Sequence, residues 1–199
     1  LENDLRLEAD VVTTEKSYYG GARQLSLPGK VLSLEKGLDN GFNDPQVSRV
    51  WAFRDAAQNG VSVTKAYTQL PSRAAVNVIV AVVDTGVDYN HEDLKNVMWT
   101  NTNEIAANGI DDDNNGYIDD IHGINTLVRT AQDTPAGDPA PSHAHGTHVS
   151  GTIAAEQNNA VGIAGIASNV KIMAIRAVPD ASDETDRDVV ESYLYAARH

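Results

Sequence analysis

The run from Val76 to Val83 constrains the fold more than any other segment, because almost every residue in it is apolar and most are β-branched. Such a run is typical of a strand that is covered on both faces in a parallel sheet. It ends at Asp84-Thr85-Gly86, and a second apolar run covers Lys171 to Val178. Small and apolar residues from Gly146 to Ala155 predict a buried helix between the two strands. This alternation is that of an α/β protein.

Four further segments complete the prediction. Residues 187–198 predict a helix whose apolar face comprises Val189, Val190, Tyr193, Leu194 and Ala197. A short amphipathic helix is predicted from Val47 to Asn59, and residues 100–142, rich in Asn, Asp, Gly and Pro, predict a long loop region. We assign residues 1–43 to an accessory segment and residues 44–199 to the main domain.

Charge and composition exclude several classes of protein. The net charge is −13, and the stretch from Asp84 to Asp120 has ten acidic residues against one basic residue, so a nucleic acid partner is not expected. No apolar run is long enough to span a membrane, and the first residues do not have the pattern of a signal peptide. Because there is no cysteine, disulfides and thiolate metal sites are also excluded.

Asp84 and His145 are the first candidates for catalysis. An acidic side chain at the carboxyl end of a buried parallel strand lies where open α/β sheets place their active sites. His145 precedes a helical segment whose glycines allow close packing, so its ring can lean toward the strand ends. Histidine can take up and return a proton near neutral pH, and a carboxylate bonded to its other nitrogen fixes the tautomer. Taken singly, Asp84 could cap a turn and His145 could be a core side chain.

Two motifs together resemble a known family. The segments Val80–Asp88 and His145–Thr152 are similar to the aspartate and histidine signatures of the subtilisin-like serine proteases. The resemblance implies a three-layer α/β fold with a mainly parallel sheet and a secreted endopeptidase acting on protein or peptide substrates. It also makes Asp84 the orienting carboxylate, His145 the general base, and His148 a non-catalytic histidine that packs inside the domain.

No serine in the chain has the sequence context of the family's nucleophile. Ser142 and Ser150 flank His145, but neither lies in a nucleophile turn. We therefore expect the chain to be the N-terminal part of a catalytic domain, inactive by itself, with the C-terminal half of that domain as its partner. Residues 5–15 resemble the last strand of an inhibitory propeptide, which would be a second partner.

The resemblance also implies a calcium site. In the family, an Asp near the start of the mature domain, a second Asp and a later loop hold a calcium ion together. Carried over to this sequence, the side-chain ligands are Asp44, Asp93 and Asn159, and the backbone carbonyl ligands are those of Gln157, Val161 and Ile163. Oxygen donors from distant segments suit Ca²⁺, which takes six to eight of them.

A second calcium site is predicted from the spacing of an acidic loop. Residues 111–120 place oxygen-bearing side chains at loop positions one, three and five before a glycine at six, as an EF-hand loop does. The candidate ligands are Asp111, Asp113, Asn115, the carbonyl of Tyr117, and Asp119 or Asp120. His122 stands where an EF-hand has its bidentate Glu, so flanking helices are not expected.

Two other functions remain open at this stage. His143, His145 and His148 could form the metal cluster of a metallo-hydrolase, although Thr147 stands where that motif needs Asp. Alternatively, the chain could be a calcium-stabilised binding module without catalytic activity.

Overall fold

The computed structural model describes residues 41–69 and 77–199, which contain one four-stranded sheet. The strands are β1 (Val78–Asp84), β2 (Gly123–Arg129), β3 (Pro135–Ala136) and β4 (Val170–Arg176). Their order is β1-β4-β2-β3, in which β1, β4 and β2 are parallel and β3 is antiparallel to β2. The predicted α/β class with a mainly parallel sheet is confirmed.

Helices cover both faces of this sheet. On one face, helix α2 (His145–Ala154) contributes Ala154 to a core cluster with Val82 and Ile172. On the other, helix α3 (Asp186–Ala196) buries Tyr195 against Met173 and other side chains. Neighbouring residues on a strand point to opposite faces, so Ile172 and Met173 serve different layers. The result is a helix, sheet and helix arrangement in three layers.

A third core cluster lies near the start of the described chain. Val47, Ala52 and Phe53 pack there against Val63 of helix α1 (Val63–Gln69) and against Ala164. The prediction of one amphipathic helix from Val47 to Asn59 is wrong. The segment consists of three separate 3₁₀ turns, 47–49, 51–53 and 56–58, because Val50 and Arg54 are extended and interrupt them. The first two of these turns still bury apolar side chains on one side.

The structure also differs from the predicted elements in three details. The first residues of β1, Val78 and Ile79, are exposed, since β1 lies at one edge of the sheet and is not covered along its whole length. Strands β2 and β3 lie inside the predicted loop region 100–142. In α3, Ser192 and Tyr195 are buried, whereas Val190, Tyr193 and Leu194 of the predicted apolar face are exposed.

The predicted accessory segment 1–43 falls almost wholly outside the described residues, so its boundary stays a prediction. Among the helices of the described ranges, none has the length and apolar character needed to cross a membrane.

Candidate active site

Asp84 and His145 form a hydrogen-bonded pair at the carboxyl end of β1. The carboxylate of Asp84 is buried and accepts the N–H of Thr85 at 2.7 Å. Nδ1 of His145 lies 2.8 Å from one oxygen of Asp84 and 2.9 Å from the other. A proton on Nδ1 satisfies this contact and leaves Nε2 as the acceptor, which is the tautomer a general base needs. The His145 side chain is 57% exposed, so solvent reaches the ring.

The start of α2 is held against the strand end by Thr85 and Gly146. The hydroxyl of Thr85 donates to the carbonyl of His143 at 3.1 Å and accepts the N–H of Gly146 at 3.1 Å. A Cβ on Gly146 would lie 2.2 Å from the carbonyl oxygen of Gly86 and 3.1 Å from Asp84 Oδ1. Glycine at this position therefore allows the helix to approach closely enough for His145 to reach Asp84.

The two serines that flank His145 are engaged elsewhere. Ser142 Oγ donates to Asp180 at 2.6 Å, and Ser150 is fully buried and donates to the carbonyl of Gly146 at 2.8 Å. The predicted burial of His148 is wrong. It is exposed, because α2 buries Gly146, Ser150, Gly151 and Ala154 and so turns His148 away from the sheet.

A cleft of about 600 Å³ runs along α2, and neither Asp84 nor His145 is among the residues that line it. The loop that precedes His145 forms one wall through Ser142 and His143, and α2 contributes Thr147 and His148. Leu94 adds an apolar contact from the segment that follows β1. The cleft therefore lies directly along the helix that carries the candidate base.

The first predicted calcium site brings distant segments together. Asp44 accepts the N–H groups of Asn158 and Asn159, at 2.9 and 3.2 Å. Asp93 accepts the side-chain amide of Asn159 at 2.8 Å and the N–H of Ile163 at 3.0 Å. Gln157 and Val161 lie on the same loop, and the N–H of Val161 donates to Asn159 Oδ1 at 2.8 Å.

Both carboxylates of this group are almost fully buried, with 3% exposure each. A buried carboxylate needs compensating charge or hydrogen bonds. The donors that Asp44 and Asp93 receive from the 158–163 loop are neutral amides, and a Cβ on Gly162 would lie 2.4 Å from Asp93 Oδ2, so the loop presses tightly on that carboxylate. Carboxylate oxygens are hard donors of the kind that Ca²⁺ takes, but the bonds of both carboxylates to this loop come from N–H groups, so the calcium site stays a prediction.

The acidic loop brings together only part of the second predicted set. Ligand oxygens of Asp111 and Asp113 converge within 4.8 Å of each other and of a third residue, Glu104. Asn115 turns its Nδ2 toward Asp113, at 3.3 Å, while its Oδ1 accepts the N–H of Tyr117 at 2.7 Å. This donor set is also one of hard oxygens, and it too fits Ca²⁺.

Asp119 uses its oxygens for other contacts, whereas Asp120 accepts Asn115 Nδ2 at 3.1 Å in addition to contacts outside the predicted set. Asp119 accepts the N–H groups of Asn108 and Gly109, both at 3.0 Å, and so closes a neighbouring turn. Asp120 is fully buried and accepts the hydroxyl of Tyr195 at 2.7 Å and Asn101 Nδ2 at 3.0 Å. Burial raises the pKa of Asp120, although these hydrogen bonds act in the opposite direction.

Glu104 is the residue that the sequence prediction missed. It is buried and accepts the N–H groups of Asp112, Asp113 and Asp119, at 2.8, 3.2 and 3.0 Å. Burial raises the pKa of Glu104, against the lowering effect of these bonds. Its position before Asp111 lies outside the EF-hand spacing, so only its acidic character could have suggested it.

The histidine cluster of the alternative metallo-hydrolase does not form. Within residues 41–69 and 77–199, the converging acidic and histidine side chains are Glu104, Asp111 and Asp113. His143 instead accepts the N–H of His145 through its Nδ1, at 3.1 Å, and His145 directs its own Nδ1 to Asp84.

A carboxylate that bonds to an imidazole at the carboxyl end of a parallel sheet has the arrangement of the orienting acid and the general base in nucleophilic hydrolases. The model of the subtilase family matches residues 76–199, and this chain belongs to that family. Subtilisin-like protease 1 of Plasmodium berghei is 39% identical over 140 residues, which are 70% of this chain and 22% of that protein. The extracellular protease of Xanthomonas campestris is 30% identical over 156 residues, 78% of this chain and 26% of that protein.

The fold is also that of a solved protease. A protease of Pseudoalteromonas arctica superposes with a TM-score of 0.57 at 22% identity, over 78% of this chain and 44% of that one. The chain spans roughly a fifth to a quarter of the length of the two curated relatives.

Proposed function

We propose that this chain supplies the orienting aspartate and the general base of a subtilisin-like serine endopeptidase. The observation that carries the proposal is the contact of His145 Nδ1 with both oxygens of Asp84. In peptide hydrolysis, His145 Nε2 would take the proton of a serine hydroxyl and return it to the leaving amine. Asp84 would hold the ring in position and stabilise the imidazolium.

The nucleophile would come from outside these 199 residues. Ser142 and Ser150, which flank the base, are bonded to Asp180 and to the backbone of Gly146. Both the attacking hydroxyl and the donors for the oxyanion would then belong to a C-terminal complement of the domain. Loss of either part costs orders of magnitude in rate, so the chain alone should not turn over peptides.

An activity assay tests this assignment. The 199-residue chain is compared with a version extended through the following coding sequence, on a chromogenic peptide in calcium. Turnover should appear in the extended protein only, and Asp84→Asn and His145→Ala should each lower kcat by several orders of magnitude. His148→Ala is the matched control, since His148 lies on the same helix without a bond to Asp84, and it should retain most activity. Turnover by the short chain that His145→Ala abolishes would contradict the proposal.

We also propose that calcium stabilises the domain at two or more sites. At the first, Asp44, Asp93, Asn159 and carbonyls of the 157–163 loop would hold the ion. At the second, Glu104 would join Asp111 and Asp113, whose oxygens lie within 4.8 Å of one another. At both sites the ion would neutralise neighbouring carboxylates and connect separate segments.

The substrate is proposed to be a protein or peptide, and the place of action extracellular. The proposed substrate follows from the subtilisin-like proteases that the chain resembles, and the extracellular location is supported by the Xanthomonas relative, which is named as an extracellular protease. An inhibitory propeptide remains a proposed partner, because residues 5–15 lie outside the described ranges. Mass spectrometry of the secreted native protein would locate any processing site.

A further inference from the structure

Arg176 stands next to the candidate catalytic aspartate. It is the last residue of β4 and the register partner of Asp84 on β1. The preceding partners on this face, Val82 and Ala174, lie in the same core cluster under α2. Residues two apart on a strand share a face, so the side chains of Arg176 and Asp84 both emerge on the α2 side.

The guanidinium of Arg176 reaches the loop that leads to His145. Its Nη1 donates to the carbonyl of Ala140 at 3.2 Å. Its Nε is buried and has no hydrogen-bond partner within the described part of the chain. A buried N–H without a partner is costly, so the observed placement of this side chain is not explained by its own hydrogen bonding.

The contacted loop depends on bonds to the strand ends. Val87 N–H donates to the carbonyl of Pro139 at 3.1 Å, and Ser142 N–H donates to the carbonyl of Thr85 at 3.4 Å. The segment between Gly137 and Ala144 has no helix or strand, and Ala144, at the N-cap of α2, provides no side-chain cap. An additional hydrogen bond from the sheet, donated by Arg176, therefore helps to fix the position of α2 and of His145, its first residue.

We propose that Arg176 is a positioning residue for the Asp84–His145 pair. It acts through the 139–143 loop, which it holds against the carboxyl end of the sheet by its bond to Ala140. The inference depends on the proposed function only in giving that pair a catalytic role. The positioning itself is a property of this chain and is measurable in it without turnover.

The test uses NMR and amide hydrogen exchange on the 199-residue chain. The Nδ1 proton of His145, held in its bond to Asp84, should give a far-downfield resonance in the wild type. In Arg176→Met, that resonance should be lost to solvent exchange. Amide exchange at Ser142, His145 and Gly146 should rise about tenfold, the factor expected for one lost charge-assisted hydrogen bond. Arg176→Lys keeps the charge and a hydrogen-bond donor, so its exchange rates should lie between those of the wild type and of Arg176→Met.

Arg129→Met is the matched control. Arg129 lies on β2 and bonds to Glu191 and Asp133, so its loss should lower the melting temperature without affecting the His145 signal. An unchanged signal and unchanged exchange in folded Arg176→Met would overturn the proposal. So would equal losses in both variants, because Arg176 would then act only on global stability.

If Arg176→Met does not fold, Arg176→Lys decides the matter, and wild-type exchange through residues 139–146 in that variant would overturn the proposal. A wild-type chain that lacks the downfield resonance would count against the proposed function. In that case, unchanged loop exchange in Arg176→Met would still separately reject the role of Arg176.

Discussion

At the scale of single residues, the site depends on how closely two backbone segments approach. His145 can bond to Asp84 because Gly146 leaves room for the carbonyl of Gly86 and for the carboxylate itself. Thr85 contributes a hydroxyl that bonds on both sides of His145, to the carbonyl of His143 and to the N–H of Gly146. The geometry of the pair therefore depends on the absence of a side chain at Gly146 as much as on the carboxylate and the imidazole.

Gly146→Ala should disrupt this approach. Its Cβ would lie 2.2 Å from the Gly86 carbonyl oxygen, so we expect a loss of about 1–3 kcal/mol in unfolding free energy, as for other overpacked sites. The downfield His145 signal should be lost as well. Both effects are measured by urea denaturation and by NMR.

Gly151→Ala is the control on the same helix. A Cβ there would meet only Ile163 Cδ1, at 4.0 Å, so the variant should be neutral or gain up to about 1 kcal/mol from helix propensity. Equal stability of the two variants would show that close packing at Gly146 is unimportant.

At the scale of elements, an ion-pair cluster connects α3 to the β2–β3 hairpin. Arg129 of β2 bonds to Glu191 of α3, and Arg187 of α3 bonds to both Glu191 and Asp133. Burial acts to raise the pKa of Glu191, but hydrogen bonds from Arg129 and Arg187 outweigh it and hold the pKa below its ordinary value. The Glu191 side chain is only 23% exposed, so solvent screens these contacts incompletely.

Glu191→Gln should lower stability in a pH-dependent way. Because the pKa of Glu191 is lower in the folded protein, its charge stabilises the fold above the unfolded value, and this contribution is lost as the pH falls below the ordinary value of 4.5. We expect a difference of about 1 kcal/mol near neutral pH that disappears in acid. Denaturation of both proteins at a series of pH values, from roughly pH 3 to roughly pH 7, measures it.

Asp133→Asn provides the comparison within the same cluster. Asp133 is 69% exposed, so its removal should have a smaller effect at every pH. A gap between wild type and Glu191→Gln that stays constant across the pH range would contradict the ion-pair explanation.

At the scale of the whole molecule, the carboxylates join segments that are far apart in sequence. Asp44 bonds to the loop around Asn159, and Asp93 bonds to the same loop from another direction. An ion at this junction would connect the segment around Asp44 to the segment that precedes β4. Binding to the native state alone must then raise the stability of the whole domain.

Calcium should therefore raise the melting temperature relative to a chelator. At a hundredfold excess over Kd, a single site contributes about 2.7 kcal/mol. Asp93→Asn and Asp113→Asn should each reduce the calcium-induced shift, whereas Asp133→Asn, outside both groups, should keep it. Identical melting curves in calcium and in chelator, with no heat of binding by calorimetry, would refute the calcium proposal.

Local sequence was sufficient for strands β1 and β4 and for the pairing of Asp84 with His145. The apolar run of β1 is uninterrupted from Val78 to Val83 and that of β4 from Ile172 to Ile175, and the glycines after His145 indicated a closely packed helix. The sequence order of Asp84 and His145, with the motifs around them, predicted that the two residues pair, and the structure shows this contact. These features depend on neighbours within a few residues, which a sequence displays directly.

Only the tertiary structure decided which face of α3 is buried and which acidic side chains lie together. The apolar residues of α3 permit more than one buried face, and packing against Met173 and Tyr117 selected the face with Tyr195. Glu104 joined Asp111 and Asp113, and Asp120 bonds to Tyr195 as well as to Asn115, because chain folding sets distances that spacing along the sequence does not encode. Arg176 likewise meets Ala140 only because parallel pairing places the end of β4 beside the end of β1.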